Sequence, residues 1–224
     1  MTPRVLIIDD HALLSEALAA AFRERGYRDV DVVPLADDPQ LVVEVASRQP
    51  DVVLLDLHLG PERLATSLIG PLQAIPTTVV LITASRDPLL LGACIEGGAS
   101  GIVDKAQPFD ELATMVEAAS RGAPVLSSAA RDVLLSEMRD RQRLRRATLA
   151  PFESLTPREQ AVLGGLCHGR TAEEIATESD VALSTVRTHI RAILSKLHVK
   201  TQLAAVAAAR RAGWEPGDPG AINR

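Results

Sequence analysis

The sequence predicts a doubly wound α/β domain with a five-stranded parallel sheet, followed by a small all-α domain of four helices. Three observations support this prediction. Short apolar runs alternate with longer segments of helical periodicity in the first half of the chain, and this pattern stops after Gly122. Two capping-box sequences, which mark helix starts, begin further on at Thr156 and Thr171. The 224 residues are sufficient for two modest domains.

Five short runs rich in β-branched residues and leucine predict the strands of the first domain. Because the runs are apolar on consecutive residues, we expect strands buried on both faces, as in a parallel sheet covered by helices. The predicted strands are Val5–Asp9, Val30–Val33, Val52–Asp56, Thr78–Thr83 and Gly101–Asp104. In such a sheet, a ligand site is expected beyond the carboxyl ends of the strands.

Changes in pattern along the chain set the predicted domain boundaries. We assign residues 1–122 to the first domain, 123–150 to a linker, 151–214 to the second domain and 215–224 to a disordered tail rich in Pro and Gly. The linker is predicted to contain one amphipathic helix that begins near Ser127 and runs through Arg146.

The second domain is predicted to contain four helices. The sequences Thr156-Pro157-Arg158-Glu159 and Thr171-Ala172-Glu173-Glu174 predict the first two helix starts. A third helix, Ser184–Leu197, carries apolar residues on one face, and a fourth begins near Thr201 and ends at Gly213.

The net charge of -5 conceals an asymmetry between the two halves of the chain. Residues 1–122 carry 9 basic and 18 acidic side chains, whereas residues 123–224 carry 15 basic and 11 acidic ones. No apolar run approaches the roughly 18 residues of a membrane span, and two cysteines, Cys94 and Cys167, are too few for a disulfide framework. We therefore expect a soluble cytoplasmic protein without a membrane partner.

Acidic residues follow two of the predicted strands. Asp9 and Asp10 end the first strand and Asp56 ends the third, so their carboxylates are expected to converge at one edge of the sheet. Three carboxylates would repel one another unless a hard divalent cation such as Mg²⁺ bound them. Thr83 and Lys105 bring a hydroxyl and an ammonium group to the same edge, which predicts a site for a phosphoryl group.

The set Asp9-Asp10, Asp56, Thr83 and Lys105 resembles the receiver domain of two-component response regulators, which has a flavodoxin-like fold. The resemblance implies that Asp56 accepts a phosphoryl group from a sensor histidine kinase, while Thr83 and Lys105 contact that group. The implied Mg²⁺ ligands are Asp9, Asp10, Asp56 and the backbone carbonyl of His58. One departure concerns Ile102, because family members usually carry Tyr or Phe at this position.

Residues Leu155 to Val206 resemble the LuxR-type helix-turn-helix of NarL/FixJ response regulators. Two segments carry the resemblance, Leu155-Thr156-Pro157-Arg158-Glu159 and Thr185-Val186-Arg187-Thr188-His189-Ile190. It implies that Ala172–Glu178 is the supporting helix and that Ser184–Leu197 is the recognition helix in the major groove of DNA. Asp180 stands where the family often has Gly, so a left-handed conformation is expected there. Ala182 replaces the usual capping Ser, so that cap is expected to be missing or shifted to Ser184.

The exposed face of the recognition helix supplies the candidate DNA contacts. Arg suits guanine edges and Thr suits thymine methyl groups, so base contacts are assigned to Arg187, Thr188 and Arg191. Thr171, Lys196 and Lys200 are expected to bind backbone phosphates, and Thr185 completes the DNA-binding set. In this family the last helix is a dimer surface, which implies a homodimer on promoter DNA.

These expectations combine into one leading hypothesis and three alternatives. The leading hypothesis is a regulator, not an enzyme, in which phosphorylation of Asp56 promotes dimerisation and control of transcription by the helix-turn-helix. Ile102 motivates a phosphorylation-independent regulator with the same domains. An aspartyl-phosphate hydrolase would also use an Asp nucleophile with Mg²⁺, but such enzymes carry a second Asp at the position of His58. A purely protein-binding module leaves the second domain unexplained.

Overall fold

A computed structural model describes residues 2–216 of the chain, and the part of the chain that it describes contains five strands and ten helices. Most of the tail predicted at 215–224 lies outside the described residues. The elements are β1 Val5–Ile8, α1 Ala12–Glu24, β2 Val30–Val32, α2 Asp38–Arg48, β3 Val52–Asp56, α3 Thr66–Leu72, β4 Thr78–Thr83, α4 Pro88–Glu96, β5 Gly101–Asp104, α5 Phe109–Ser120, α6 Ser128–Glu153, α7 Pro157–Cys167, α8 Ala172–Glu178, α9 Leu183–Lys196 and α10 Gln202–Ala212.

The five strands form one parallel sheet in the order β2-β1-β3-β4-β5, which confirms the predicted doubly wound α/β fold. Successive residues of β1 point to opposite faces of the sheet. Leu6 and Ile8 pack into a core with α2, α3 and α4, whereas Val5 and Ile7 pack into a second core with α1 and α5. Burial on both faces explains why the strand sequences are apolar at consecutive positions.

Two strands end one residue earlier than predicted. Asp9 lies beyond β1 because its carboxylate Oδ1 accepts a hydrogen bond from the His11 amide at 2.8 Å, which turns the chain away from the sheet. Val33 lies beyond β2, although its amide still donates to the Ile7 carbonyl at 2.9 Å. The turn at Asp9 directs this carboxylate back toward the end of the sheet.

The C-terminal unit has the four helices α7 to α10 around a separate apolar core, as predicted. Both capping boxes are present, on Thr156 with Glu159 and on Thr171 with Glu174. The last helix is capped by Thr201 and ends at Gly213, which has a left-handed conformation. None of the helices within residues 2–216 is long and apolar enough to cross a membrane.

Helix α6 is longer than the predicted linker helix. It spans 26 residues and ends at Glu153 instead of near Arg146, so the predicted boundary at Pro151 falls inside it. The helix continues through Pro151, and Phe152, in the next position, is buried in the C-terminal core. The described chain divides into two compact units between Arg141 and Gln142, later than the predicted end of the first domain at residue 122.

The first half of α6 belongs to the N-terminal unit because it packs on α4. The Met138 side chain is buried there, and the Arg131 guanidinium donates to the Ile95 carbonyl at 3.2 Å, near the end of α4. The closest approach is at Gly92. A Cβ atom added at Gly92 would lie 2.7 Å from both Cβ and Sδ of Met138. Glycine is therefore required at this position for α6 to dock on α4.

Replacing Gly92 by Ala is expected to lower the free energy of unfolding of the N-terminal unit by about 1–3 kcal/mol, because the added methyl group overpacks the contact with Met138. Urea denaturation followed by circular dichroism measures the change. Gly70, in α3, has open space around its Cα, so Gly70→Ala serves as the matched control and should raise stability by about 0.5–1 kcal/mol. Equal stabilisation by the two substitutions would contradict the proposed packing.

Candidate functional site

The predicted acidic residues meet at the carboxyl end of the sheet. Asp56 is the last residue of β3, and Asp9 and Asp10 follow the neighbouring strand β1. The Asp9 and Asp56 side chains are each only 3% exposed, whereas that of Asp10 is 26% exposed. The parallel pairing of β1 with β3 therefore brings two nearly buried carboxylates and one accessible carboxylate to one place.

Lys105 joins the two buried carboxylates. Its Nζ lies 2.8 Å from Oδ2 of Asp9 and 2.8 Å from Oδ2 of Asp56. The lysine directly follows β5, and its amide donates to the Thr83 carbonyl at 3.1 Å, which fixes the side chain at the edge of the sheet. One ammonium group thus balances two carboxylates in a mostly buried environment.

The three groups change one another's pKa values. Burial raises the pKa of Asp56, and the nearby Asp9 charge raises it further, against the opposing hydrogen bond from Lys105. Burial alone would also raise the pKa of Asp9, but hydrogen bonds from Lys105 and the His11 amide outweigh it and hold this pKa below its usual value. Burial acts to lower the pKa of Lys105, but its bonds to Asp56 and Asp9 leave it raised.

Thr83 and His58 lie at the same end of the sheet. Thr83 is buried at the end of β4, one residue beyond the partner of Asp56, and its hydroxyl accepts a hydrogen bond from the Ser85 amide at 3.0 Å. The His58 side chain is exposed, and the backbone of His58 acts against the burial that raises the pKa of Asp56. The segment that follows β3 therefore contributes to the electrostatics of the acidic site.

His11 belongs to this site, although sequence reasoning did not select it. Its Nδ1 lies 2.7 Å from Oδ1 of Asp10 and 3.0 Å from Oδ1 of Asp9. Its position directly after the Asp9-Asp10 pair was the available signal. Donor atoms of Asp9, Asp10, His11 and Asp56 all lie within 4.8 Å of one another, a set able to hold a metal ion. The carboxylate oxygens among them are ligands that suit Mg²⁺.

The predicted supporting helix corresponds to α8, which has the predicted bounds. The predicted recognition helix corresponds to α9, which begins and ends one residue earlier than predicted. Asp180, in the turn between them, has the expected left-handed conformation with φ of 52°. Ala182 occupies the N-cap of α9 without a side-chain hydrogen bond, so the usual cap is missing. Helix α9 buries Val186, Ile190 and Ile193 in the core of its unit.

The candidate base-contacting residues lie on the exposed side of α9. Thr185, Arg187, Thr188 and Arg191 are all exposed, and Lys200 is exposed beyond the end of the helix. The Arg187 guanidinium lies 3.2 Å from a carboxylate oxygen of Glu173, and the Thr188 hydroxyl donates to the Ser184 carbonyl at 2.9 Å. Both contacts are at the surface of the C-terminal unit.

Two of the residues assigned to phosphate contacts have other partners. The Lys196 ammonium lies 2.7 Å from Oε2 of Glu159 and 2.9 Å from the Ser154 carbonyl oxygen, within its own unit. The Thr171 hydroxyl caps α8 through the Glu174 amide and carboxylate. These contacts occupy the Lys196 ammonium within its own unit, and the Thr171 side chain primarily caps α8.

The capping-box role predicted for Glu159 is confirmed, but sequence reasoning missed a second contact of this residue, with Lys196. Glu159 is 5% exposed and accepts hydrogen bonds from both the Thr156 amide and Lys196, each at 2.7 Å. Burial alone would raise the pKa of Glu159, but these bonds outweigh it and lower the pKa. Glu159 thereby joins the start of α7 to the end of α9.

Comparison with protein families agrees with this geometry. Residues 5–117 match the model for the response regulator receiver domain, and residues 153–209 match the model for the luxR family of bacterial regulatory proteins. The first match covers the acidic site and the second covers both helices of the helix-turn-helix. The chain belongs to the NarL/FixJ family of response regulators.

Similar response regulators match nearly the whole chain. The transcriptional regulatory protein LiaR of Bacillus subtilis is 36% identical over 93% of this chain and 97% of its own length. The probable transcriptional regulatory protein NarL of Mycobacterium tuberculosis is 33% identical over 93% of this chain and 94% of its own. A LuxR-family response regulator from Aurantimonas shares the fold, with a TM-score of 0.51 and 24% identity over 62% of this chain and 99% of that chain.

The two matched domains make this response regulator a DNA-binding regulator of transcription. Its receiver domain carries Ile102 on β5, where a half-buried aliphatic side chain packs against the core on the α4 side of the sheet. This is the position at which an aromatic residue was expected from the family pattern. The receiver domain of this chain therefore has no aromatic ring there to change rotamer.

Proposed function

We propose that this response regulator accepts a phosphoryl group on Asp56 from a sensor histidine kinase, with Mg²⁺ bound by Asp9, Asp10, Asp56 and the His58 carbonyl. Phosphorylation then promotes dimerisation and binding to promoter DNA in the cytoplasm. The observation that carries the proposal is the placement of Lys105 at 2.8 Å from both Asp9 and Asp56. The cation lies where negative charge would increase on phosphorylation.

Each side chain of the site has its own role in the proposed phosphoryl transfer. An Asp56 carboxylate oxygen forms a bond to phosphorus while the phosphorus–nitrogen bond of the kinase phosphohistidine breaks. This leaves an acyl phosphate on Asp56 and, because the other ring nitrogen of the phosphohistidine is protonated, a neutral imidazole on the kinase. Mg²⁺, when bound, supplies positive charge to the phosphoryl oxygens. Lys105 exchanges its bond to Asp56 for one to a phosphoryl oxygen. The Thr83 hydroxyl, now bonded to the Ser85 amide, is available to donate to the same group.

Replacing Asp56 by Asn tests this proposal directly. We expect the variant to incorporate no phosphoryl group from acetyl phosphate with Mg²⁺, because an amide nitrogen or oxygen cannot form the acyl phosphate. Intact-mass spectrometry measures incorporation, and titration of promoter DNA with and without donor measures the coupling. Thr114→Val, on the exposed surface of α5, is the control. Phosphoryl uptake by Asp56→Asn equal to that of the wild type would refute the proposal.

A second candidate function is supported by Ile102. Without an aromatic ring at this position, phosphorylation-independent DNA binding by the same domains is the alternative. Tight promoter binding that does not change with acetyl phosphate and Mg²⁺, in both the wild type and Asp56→Asn, would favour this alternative over the first proposal.

DNA contacts are proposed for Arg187, Thr188, Arg191, Thr185 and Lys200, which are exposed on or just beyond α9. Homodimerisation is proposed through α10, where Leu203 is 79% exposed on an otherwise alanine-rich helix. An apolar side chain this exposed is suited to a contact between two copies of the chain.

Replacing Arg191 by Ala is expected to weaken binding to the cognate operator by about 1–3 kcal/mol, or roughly 5–150-fold, and to relax the base preference at one position. Fluorescence anisotropy with operator and mutated operators measures both effects. Arg28→Ala removes the same charge from an exposed position in the receiver domain and should leave the affinity unchanged. A uniform loss across all DNA sequences would assign Arg191 to the phosphate backbone instead.

A further inference from the structure

The backbone of His11 is held in place at the start of α1. Its amide donates to Oδ1 of Asp9 at 2.8 Å, and its carbonyl accepts hydrogen bonds from the Ser15 amide at 3.0 Å and the Ser15 hydroxyl at 3.2 Å. Ser15 is completely buried. These contacts fix the Cα position of His11 beside the carboxylates, and the rotamer of its side chain brings the imidazole to them.

Nδ1 of His11 lies within hydrogen-bonding distance of the Asp9 and Asp10 carboxylates, and the same spacing is compatible with ligands that share one cation. Two ligand atoms at about 2.1 Å from an octahedral ion are about 3.0 Å apart when adjacent and about 4.2 Å apart when opposite. Nδ1 lies 2.7 Å from Asp10 Oδ1, 3.0 Å from Asp9 Oδ1 and 3.9 Å from Asp56 Oδ2. The imidazole nitrogen therefore occupies a position like that of a further ligand in the carboxylate set.

The chemistry of this donor differs from that of the carboxylates. Carboxylate and carbonyl oxygens suit Mg²⁺, whereas imidazole nitrogen suits first-row transition ions such as Ni²⁺, Cu²⁺ and Zn²⁺. The exposed fraction of the His11 side chain is 65%, so the ring can adjust its position as a metal ion enters from solvent. A site with one imidazole added to its oxygen ligands should bind these ions more tightly, relative to Mg²⁺, than a site with oxygen ligands alone.

We propose that His11 is an imidazole ligand of the cation site, and that it allows this receiver domain to bind a divalent transition ion in addition to Mg²⁺. This inference rests on the proposed function, because it assigns the cation to the same carboxylates. His11 would set the choice of metal, while Asp9, Asp10 and Asp56 would supply most of the charge that binds any divalent ion.

Calorimetric titration of the tag-free full-length chain with Ni²⁺ alone and with Mg²⁺ alone tests the proposal. Replacing His11 by Gln is expected to weaken Ni²⁺ binding by roughly 10-fold or more and to change Mg²⁺ binding much less. His198→Asn is the matched control, because His198 is exposed in the other unit and Asn tolerates its left-handed conformation. It should bind both ions as the wild type does.

Pulsed electron paramagnetic resonance gives a direct test of the bond itself. With one equivalent of Cu²⁺, nitrogen modulation from an imidazole is expected in the wild type and in His198→Asn, and is expected to be lost in His11→Gln. An unchanged ratio of Ni²⁺ to Mg²⁺ affinity in His11→Gln, or retained nitrogen modulation, would overturn the proposal. Tighter binding of both ions by His11→Gln would also overturn it, because the ring would then be an obstacle.

A failure of the proposal for His11 can be distinguished from a failure of the proposed function. If His11→Gln binds Mg²⁺ and incorporates a phosphoryl group from acetyl phosphate but keeps the wild-type metal preference, only the role of His11 is refuted. If the wild type binds neither metal and incorporates no phosphoryl group, both proposals are refuted.

Discussion

Replacing Lys105 by Met is expected to lower the free energy of unfolding of the receiver domain by about 3 kcal/mol at pH 7 without Mg²⁺, because it leaves two nearly buried carboxylates without their shared cation. The side chains of Asp9 and Asp56 are 3% exposed, so water replaces the ammonium group poorly. Urea denaturation followed by far-ultraviolet circular dichroism measures the loss. Millimolar Mg²⁺ should restore part of it, because a ligand that binds only the folded state stabilises that state.

The stability of the Lys105→Met variant should change with pH in a definite direction. Removing Lys105 removes the contacts that oppose the raised pKa of Asp56, whereas the hydrogen bond from the His11 amide still acts to lower the pKa of Asp9. The pKa of Asp56 should then lie further above its value in the unfolded chain, so protonation of Asp56 should stabilise the folded state as the pH falls through the raised value. Lys200→Met, at an exposed position of the other unit, is the control. A Lys105→Met variant that matches the wild type at pH 7 would contradict the assigned role.

Replacing Glu159 by Ala is expected to lower the stability of the DNA-binding domain by about 3 kcal/mol, because it removes the partner of Lys196 and one half of a capping box. The only tryptophan of the chain, Trp214, stacks on Phe152 in this domain with ring centroids 5.6 Å apart. Its fluorescence therefore follows the unfolding of this domain separately from that of the receiver domain.

The contribution of Glu159 should depend on pH with a definite sign. Because its pKa is lowered in the folded state, its stabilisation is present above the ordinary glutamate pKa and is lost as the pH falls through the folded value. The Glu159→Ala variant should lack this part of the acid dependence. Glu174→Ala removes the equivalent member of the exposed capping box on α8 and should have a much smaller effect. Equal losses from both substitutions would show that the contact with Lys196 adds nothing.

The position of a side chain could be predicted from the sequence where the direction of the strands alone determines it. Asp56 and Lys105 follow strands of a parallel sheet, and the ends of such strands meet at one edge, so their convergence could be predicted without coordinates. Chain direction does not determine where a flexible side chain finds its partner. Lys196 was predicted to bind a DNA phosphate from its place on α9, and no pattern in the sequence indicated that the packing of α7 against α9 would place Glu159 2.7 Å from its ammonium group. The role of His11 likewise depends on a rotamer that no periodicity encodes.

Helix α6 shows a second limit of sequence reasoning. The strand pattern stops at Gly122, and the residues that follow have the amphipathic pattern of a linker helix, so the boundary was placed there. The amphipathic pattern does not identify which element an apolar helix face packs against. In this chain α6 packs against α4, where Met138 contacts Gly92. The predicted linker helix ends near Arg146, whereas α6 continues through Pro151 to Glu153, and Phe152 is buried in the C-terminal core.

The packing of Met138 on Gly92 determines which fragment of the chain can be prepared as an isolated receiver domain. A fragment that stops at residue 122 would expose the apolar surface of α4 that α6 covers, and exposed apolar surface promotes aggregation. A fragment that continues through Arg141 keeps that surface covered, because it contains the whole compact N-terminal unit. The longer fragment is therefore the appropriate one for solution studies of the phosphorylation site.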